Sequence, residues 1–379
     1  MEKRIFEGLD KPVSLLGFGC MRFPTTTDSE GKTVIDEARA EEMMTTAYNS
    51  GVNYFDTAYP YHNGESEPFT GKVLDKFPLD SYYLATKLPV WLIKTADEAE
   101  AMLHNQLKRL NKDYIDIYLL HALNEEKFQA MKDGGVIDRL FELKKQGLVR
   151  NVGFSFHDSY EVLKKWIDVA PWDVIQLQIN YMDTEDGPGL RGLDLCKERN
   201  IPVVCMEPVR GGLLANIPED MMTELNATEE GRSQASWALR FVAKYDIIKV
   251  ILSGMTEEYQ IEDNLKTFVD YKELTDEQME AVLRVRDEMN KRVYNKCTGC
   301  RYCMPCPAGV DIPKMFHLWN EYGKYKNPGH TLWHYNNESK PEEFPDNCVQ
   351  CGMCEEACPQ KISIREDLVK ALECFKNLG

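Results

Sequence analysis

The chain lacks a surplus of positive charge, long apolar runs and, after its first predicted strand, a glycine-rich phosphate turn, and each absence argues against a class of protein. Its 45 Lys and Arg are outnumbered by 62 Asp and Glu, a formal net charge of −17. A nucleic-acid binder needs a basic footprint, so no nucleic acid is expected as a partner. The same deficit argues against docking on an anionic membrane. No run of about 18 apolar residues occurs, which excludes a membrane-spanning helix. The opening Met1-Glu2-Lys3-Arg4-Ile5-Phe6-Glu7-Gly8-Leu9-Asp10 has no apolar segment of the secretory type, so a cytoplasmic location is expected. There the triplets Asn226-Ala227-Thr228 and Asn337-Glu338-Ser339 carry no glycosylation meaning. Low-complexity tracts are also lacking. What remains, 43% hydrophobic and 28% charged residues, is ordinary for a globular chain.

Cysteine, by contrast, is plentiful and unevenly placed. Cys20, Cys196 and Cys205 are scattered, eight more fall between Cys297 and Cys358, and Cys374 stands alone. In a reducing compartment a clustered set points to metal rather than disulfides. The first run is Cys297-Thr298-Gly299-Cys300-Arg301-Tyr302-Cys303-Met304-Pro305-Cys306-Pro307. The second is Cys348-Val349-Gln350-Cys351-Gly352-Met353-Cys354-Glu355-Glu356-Ala357-Cys358-Pro359. The second fits the bacterial ferredoxin spacing C-x2-C-x2-C-x3-C-P throughout; the first shortens the last gap to two residues and keeps the proline. The resemblance implies two [4Fe–4S] clusters with exchanged fourth ligands. Cys297, Cys300, Cys303 and Cys358 would hold one, and Cys348, Cys351, Cys354 and Cys306 the other. The competing reading is a pair of zinc sites, but zinc is usually held by two separated C-x2-C pairs rather than four cysteines packed into one short run. Between the runs Met315-Phe316-His317-Leu318-Trp319 reads as helical. The region is similar to the helical dicluster domains fused to larger redox enzymes. Cys374 is expected to be an ordinary helix residue.

Ahead of the cysteines, short β-branched or apolar runs alternate with longer charged segments of helical period. Strands are predicted over 13–20, 53–57, 82–87, 115–121, 151–156, 174–179, 202–206 and 249–253. Helices are predicted over 36–50, 96–110, 159–169, 189–199 and 231–244. Alternation implies parallel pairing, because parallel strands need a long crossover. Runs such as Ile115-Asp116-Ile117-Tyr118-Leu119-Leu120 suit strands buried on both faces. Eight units predict an α/β fold, a (β/α)8 TIM barrel; an open doubly wound sheet is the alternative. A further helix over 275–293 leads into the cysteines. The predicted domains are a barrel over 1–292 and a small, mainly helical ferredoxin-like domain over 293–379.

Barrel chemistry sits where the strands end. The second strand ends in Asp56-Thr57-Ala58-Tyr59-Pro60-Tyr61, the third in Ala85-Thr86-Lys87 and the fourth in Leu119-Leu120-His121. Tyrosine, with an ordinary pKa near about 10, is a weak acid at neutral pH. An adjacent lysine ammonium favours the phenolate and lowers that pKa. Asp56 would hold Lys87 charged, and His121 could orient a substrate oxygen. His62 and His157 are expected to be structural, and Cys205 a packing residue.

At this point the chain resembles the aldo-keto reductase family over about residues 1–290. The tetrad Asp56, Tyr61, Lys87, His121 follows the family's order. Gly17-Phe18-Gly19, Asp56-Thr57-Ala58, Val152-Gly153-Phe154-Ser155 and Val174-Ile175-Gln176-Leu177-Gln178 lie on successive strands. With the cysteines behind it, the whole resembles the barrel–ferredoxin fusions of this family from anaerobes. The resemblance implies a nicotinamide cofactor, NAD(P)H, bound without a Rossmann fold. Ser155 and Gln176 would meet the carboxamide, and Met206-Glu207-Pro208 would lie under the ring. Ser253, Gly254, Met255, Thr256, Gln260 and Asn264 would meet the adenosine half. Lys and Arg are missing around Gly254 and Gln260, which argues against a strong preference for NADPH.

The implied activity is reduction of a small carbonyl substrate, an aldehyde or ketone, with Tyr61 as proton donor. A cluster passes single electrons whereas nicotinamide passes hydride, and flavin is the usual mediator. Two further readings therefore stand. One is a flavin- or ferredoxin-dependent reductase, with ferredoxin or flavodoxin as electron partner. The other is a non-catalytic redox-sensing or scaffold module.

Overall fold

In the computed structural model, which describes residues 1–379, eight short strands lie side by side and the last returns to the first. They are β1 (Leu16–Gly19), β2 (Tyr54–Asp56), β3 (Tyr83–Leu88), β4 (Ile115–Leu123), β5 (Val149–Phe156), β6 (Val174–Gln178), β7 (Val203–Met206) and β8 (Ile248–Gly254). Every pairing is parallel. Closure comes from β8 against β1, with Ile251 opposite Leu16 and Gly254 opposite Gly19. That closure excludes the open sheet and gives the (β/α)8 barrel. The helices are α1 (Glu37–Asn49), α2 (Ser66–Leu74), α3 (Ala96–Leu110), α4 (Val136–Lys145), α5 (Tyr160–Ile167), α6 (Gly189–Glu198), α7 (Gln234–Ala243) and α8 (Glu258–Val269). Shorter helices at Glu125–Asp133 and Glu219–Asn226 are inserted before α4 and α7.

Local sequence explains the boundaries. Helix α3 begins where Thr95 and Glu98 cap each other reciprocally and ends at Asn111, which takes the left-handed conformation of a stop signal. The strand predicted over 13–20 divides. Val13–Ser14 pairs antiparallel with Lys3–Arg4, and only Leu16–Gly19 enters the barrel. The break falls at Leu15, where Ser14 turns its hydroxyl onto the Leu16 carbonyl at 2.7 Å and its N–H onto Asn53 Oδ1 at 2.7 Å. Phe6, from the loop of this hairpin, is 1% exposed and packs with Val13, Tyr54, Tyr83 and Val174. It plugs the end of the barrel at which the strands begin. Arg4 fastens the hairpin by donating to the carbonyls of Ala243, Tyr245 and Ile248.

The chain forms two compact units, Met1–Gly211 with Ala235–Thr275, and Gly212–Gln234 with Asp276–Gly379. The second contains α9 (Asp276–Lys291), α10 (Ile312–Tyr325), α11 (Pro328–Asn337) and α12 (Ile364–Leu378). Its core gathers Phe316 and Trp319 of α10 with Leu368 and Phe375 of α12. The predicted helix around Phe316 is α10, and Cys374 sits on α12. No helix in either unit is long and apolar enough to cross a membrane.

Candidate functional site

The strand ends gather four ionisable side chains in one cleft of about 220 Å³. Asp56 closes β2, Lys87 lies near the end of β3 and His121 near the end of β4; Tyr61 stands on the turn beyond β2. Lys87 Nζ is saturated, donating to Asp56 Oδ1 at 2.6 Å, to the Thr57 carbonyl at 2.9 Å and to Tyr61 Oη at 3.3 Å. The His121 ring stands edge-on to Tyr61, centroids 6.0 Å apart, and the Trp91 ring packs against it at 5.2 Å.

Burial sets the protonation states. It is the largest influence on Lys87 and pulls its ammonium down, but Asp56 and Tyr61 together outweigh it and the net shift is upward. Lys87 is therefore a fixed cation, paired with Asp56. Burial pushes the His121 imidazole down to about 2, with Lys87 adding to the effect, so the ring is neutral. The Tyr61 phenol departs from the sequence-based expectation of a lowered pKa. Burial raises it by more than Lys87 lowers it, and the net shift is upward. The hydroxyl thus keeps its proton at neutral pH, with a cation beside it to stabilise the anion left when the proton goes.

The turn carrying Tyr61 is strained. His62 and Asn63, at φ 51° and 54°, and Gly64 at 93° form a left-handed run directly after it. For residues with a Cβ this costs about 1–2 kcal/mol each. His62 spends its Nε2 on the Phe23 N–H at 3.2 Å, a structural role.

Of the predicted cofactor residues, Ser155, Gln176, Met206, Glu207 and Gly254 line the cleft. Pro208, Ser253, Met255, Thr256, Gln260 and Asn264 do not. Met255 is 1% exposed and belongs to the core. Asn264 donates to Ser253 at 2.9 Å, and Gln260 accepts the N–H groups of Thr256 and Glu257 at 2.8 and 3.1 Å, capping α8. Three buried polar atoms of the cleft have no hydrogen-bond partner: Asp56 Oδ2, His121 Nδ1 and Gln176 Oε1. Beside Ser155, whose hydroxyl accepts the Ala122 N–H at 2.8 Å, a free amide carbonyl suits a carboxamide N–H donor. The wall therefore fits the nicotinamide end of a dinucleotide.

Sequence reasoning missed Met21, Arg22, His157 and Leu252, which also line the cleft. His157, expected to be structural, directly follows the last residue of β5, and that position was the available signal. Arg22 lays its aliphatic stem against Gly254, with Cβ and Cγ 3.2 Å from where a Gly254 Cβ would be, and carries its guanidinium toward Gly211. Barrel closure creates this neighbourhood.

In the second unit the cysteines converge on two cavities. One is lined by Cys297, Cys300, Cys303 and Cys358. The other, of about 200 Å³, is lined by Cys303, Cys306, Cys348, Cys351 and Cys354. The lining groups the cysteines as the ferredoxin spacing implies, except that Cys303 faces both cavities. Four or more cysteines face each cavity, which suits the four thiolates that a cubane cluster needs. Cys20, Cys196 and Cys205 are buried, and burial pushes the thiols of the first two up to about 12. Cys205 donates to the Ile179 carbonyl at 3.3 Å, a packing role.

Known proteins agree with both halves. Residues 15–287 match the model of the Aldo/keto reductase family, and residues 296–362 that of the 4Fe-4S dicluster domain. The uncharacterized oxidoreductase YqkF of Bacillus subtilis is 26% identical over 74% of this chain and 95% of its own length. The NADH-specific methylglyoxal reductase of Escherichia coli is 25% identical over 61% of this chain and 83% of its own. Among solved structures, the holo form of aldo-keto reductase AKR11C1 from Bacillus halodurans superposes with a TM-score of 0.63 at 28% identity, covering 75% of this chain and 96% of that one. The chain belongs to the aldo/keto reductase family, as an oxidoreductase whose barrel is followed by a 4Fe-4S dicluster domain.

Proposed function

We propose that the barrel reduces a small aldehyde or ketone with a nicotinamide dinucleotide, and that the cysteine domain exchanges single electrons with a partner. The observation that carries the barrel's role is the saturated Lys87 ammonium, held 3.3 Å from a Tyr61 phenol that retains its proton. A bound nicotinamide dinucleotide supplies the hydride. Tyr61 gives its proton to the carbonyl oxygen, so that the carbonyl carbon gains hydride, the oxygen gains H⁺ and an alcohol leaves. Lys87 stabilises the phenolate, Asp56 keeps Lys87 charged, and neutral His121 holds the carbonyl oxygen by a hydrogen bond. Ser155 and Gln176 would hold the carboxamide, with Met206 and Glu207 on the wall beside it. The name of the Escherichia coli relative, an NADH-specific reductase of methylglyoxal, supports a nicotinamide and a small carbonyl. The eight cysteines would hold two [4Fe–4S] clusters, whose chemistry is one-electron transfer.

The test is anaerobic purification, followed by the visible spectrum, cofactor extraction and assay of carbonyl reduction with NADH and NADPH. Nicotinamide-dependent reduction that falls at least ~10²-fold in Tyr61→Phe is expected, the low end of what a positioned acid contributes. Extracted flavin without nicotinamide-dependent reduction would overturn the reading of the barrel.

A further inference from the structure

Behind the tetrad lies a buried polar network that none of the four proposed roles uses. Glu67, on α2, is fully buried at 0% exposure. Its Oε1 accepts from Thr86 Oγ1 at 2.7 Å and from Gln106 Nε2 at 2.6 Å; its Oε2 accepts from Arg109 Nε at 2.8 Å. Gln106 Nε2 also donates to the Lys87 carbonyl at 3.0 Å. Its Oε1 accepts from Tyr118 at 2.6 Å. Arg109, from the end of α3, donates a second time to the Gly64 carbonyl, and its guanidinium lies 5.0 Å from the centroid of the Tyr59 ring.

These links converge on two places. Arg109 grips the chain on both sides of Tyr61, at Tyr59 before it and at Gly64 after it. Glu67 grips β3 at Thr86, immediately before Lys87, and through Gln106 at Lys87 itself. We propose that Arg109 and Glu67 form a brace that sets Tyr61 against Lys87, making both positioning residues of the barrel reaction. Burying a charge is costly unless it is paired and hydrogen-bonded, and an apolar side chain would fill this space without that cost. What an apolar side chain cannot do is fix the left-handed turn and the strand to one rigid group. The brace supplies the holding force that the turn from His62 to Gly64 requires.

The inference rests on the proposed role of Tyr61 as the acid, so its test has an arm independent of turnover. The full-length holoprotein is labelled with ¹³C at the tyrosine Cζ, and the Tyr61 resonance is assigned by its loss in Tyr61→Phe. In Arg109→Ala the resonance is expected to shift and its titration to move to higher pH, because Lys87 then helps the phenolate less. In the assay kcat is expected to fall at least ~10-fold with KM little changed, as for a misplaced rather than a missing group. Arg109→Lys keeps the cation but loses the planar fork that spans Glu67 and the Gly64 carbonyl, so it should recover part of kcat and the resonance; it also serves if the alanine variant folds poorly. Arg139→Ala, which removes a comparable ion cluster with Glu100 and Glu142 from α4, should leave both readouts unchanged. An unmoved Tyr61 resonance in Arg109→Ala would overturn the brace, as would a loss confined to KM or one explained wholly by a smaller folded fraction. Absence of carbonyl reduction in the unmodified protein would overturn the proposed function instead, and the resonance would still decide the brace.

Discussion

A phenol that is to give up a proton at neutral pH has first to carry one. Tyr61 meets this condition because burial, not Lys87, dominates its pKa. Carbonyl reduction should then stay level from neutrality to beyond pH 10 and fall only above it. Lys87→Met removes the downward pull, so the limb moves higher still and kcat falls by roughly 10²–10⁴; pH–rate profiles of both proteins check this, and a limb centred below about pH 10 in the unmodified protein contradicts it. Asp116 gives a second prediction, on stability. Burial raises its carboxyl from 3.8 to about 6, against the pull of the Leu84 N–H and Arg150. A carboxyl raised in the fold binds its proton more tightly there than in the unfolded chain. Stability is therefore greatest with the proton on, and is lost as pH rises from about 4 to about 6. Asp116→Asn lacks this loss. Over that window the variant should gain up to ~2–3 kcal/mol on the unmodified protein, and little more above it. Urea midpoints at pH 4, 5, 6 and 7 measure it; parallel curves would refute the raised carboxyl.

Helix α2 carries Glu67 and crosses the end of α3 at Gly71. A Cβ at Gly71 would lie 2.2 Å from the Leu110 carbonyl oxygen, with the carbonyl carbon and Cα also within 3 Å. All three are backbone atoms and cannot yield as a flexible side chain can. Alanine normally gains about 1 kcal/mol over glycine inside a helix. Here overpacking of about 1–3 kcal/mol is set against it, and the balance falls on the side of destabilisation. Gly71→Ala should lower the melting temperature, whereas Gly329→Ala in α11, whose Cβ would meet nothing closer than 3.7 Å, should not. The same elements mark what the sequence could tell. Strands such as β4 were legible because burial on both faces leaves a continuous apolar run, and α3 because its ends carry caps. The Lys3–Arg4 and Val13–Ser14 hairpin was not, because the bend at Leu15 depends on Asn53 and Glu2, partners distant in sequence. Asp56, Tyr61, Lys87 and His121 were found because strand ends are predictable. Arg22 was missed because only barrel closure lays β1 beside β8 and brings residue 22 against Gly254.

At the scale of the molecule, the two halves use different devices. The barrel is held by an apolar core that gathers Tyr54, Ala85, Ile117, Leu119 and Val250. The second unit has a smaller core, into which Cys297, Cys303, Cys306, Cys348 and Cys354 are themselves packed. Iron should therefore matter more to its folding than nicotinamide does to the barrel. Anaerobic chelation is expected to collapse the helical signal of α10 and α12 while the barrel's unfolding transition persists. Calorimetry before and after chelation checks this; an unchanged second unit would contradict it.

The exchange of the fourth cysteine has a mechanical consequence. Each cluster would take three thiols from one run and one from the other, so two rivets would pass through the same pair of plates. Drawing one rivet doubles nothing in length but frees the plates to slide, and the survivor must then close the whole intervening loop alone. Cys358→Ser removes one thiol, yet it should lower iron from about eight per chain toward none rather than stop at four. Under such coupling the protein passes from fully charged with iron to empty with no half-loaded form accumulating, and a stable four-iron species would show that the rivets act separately.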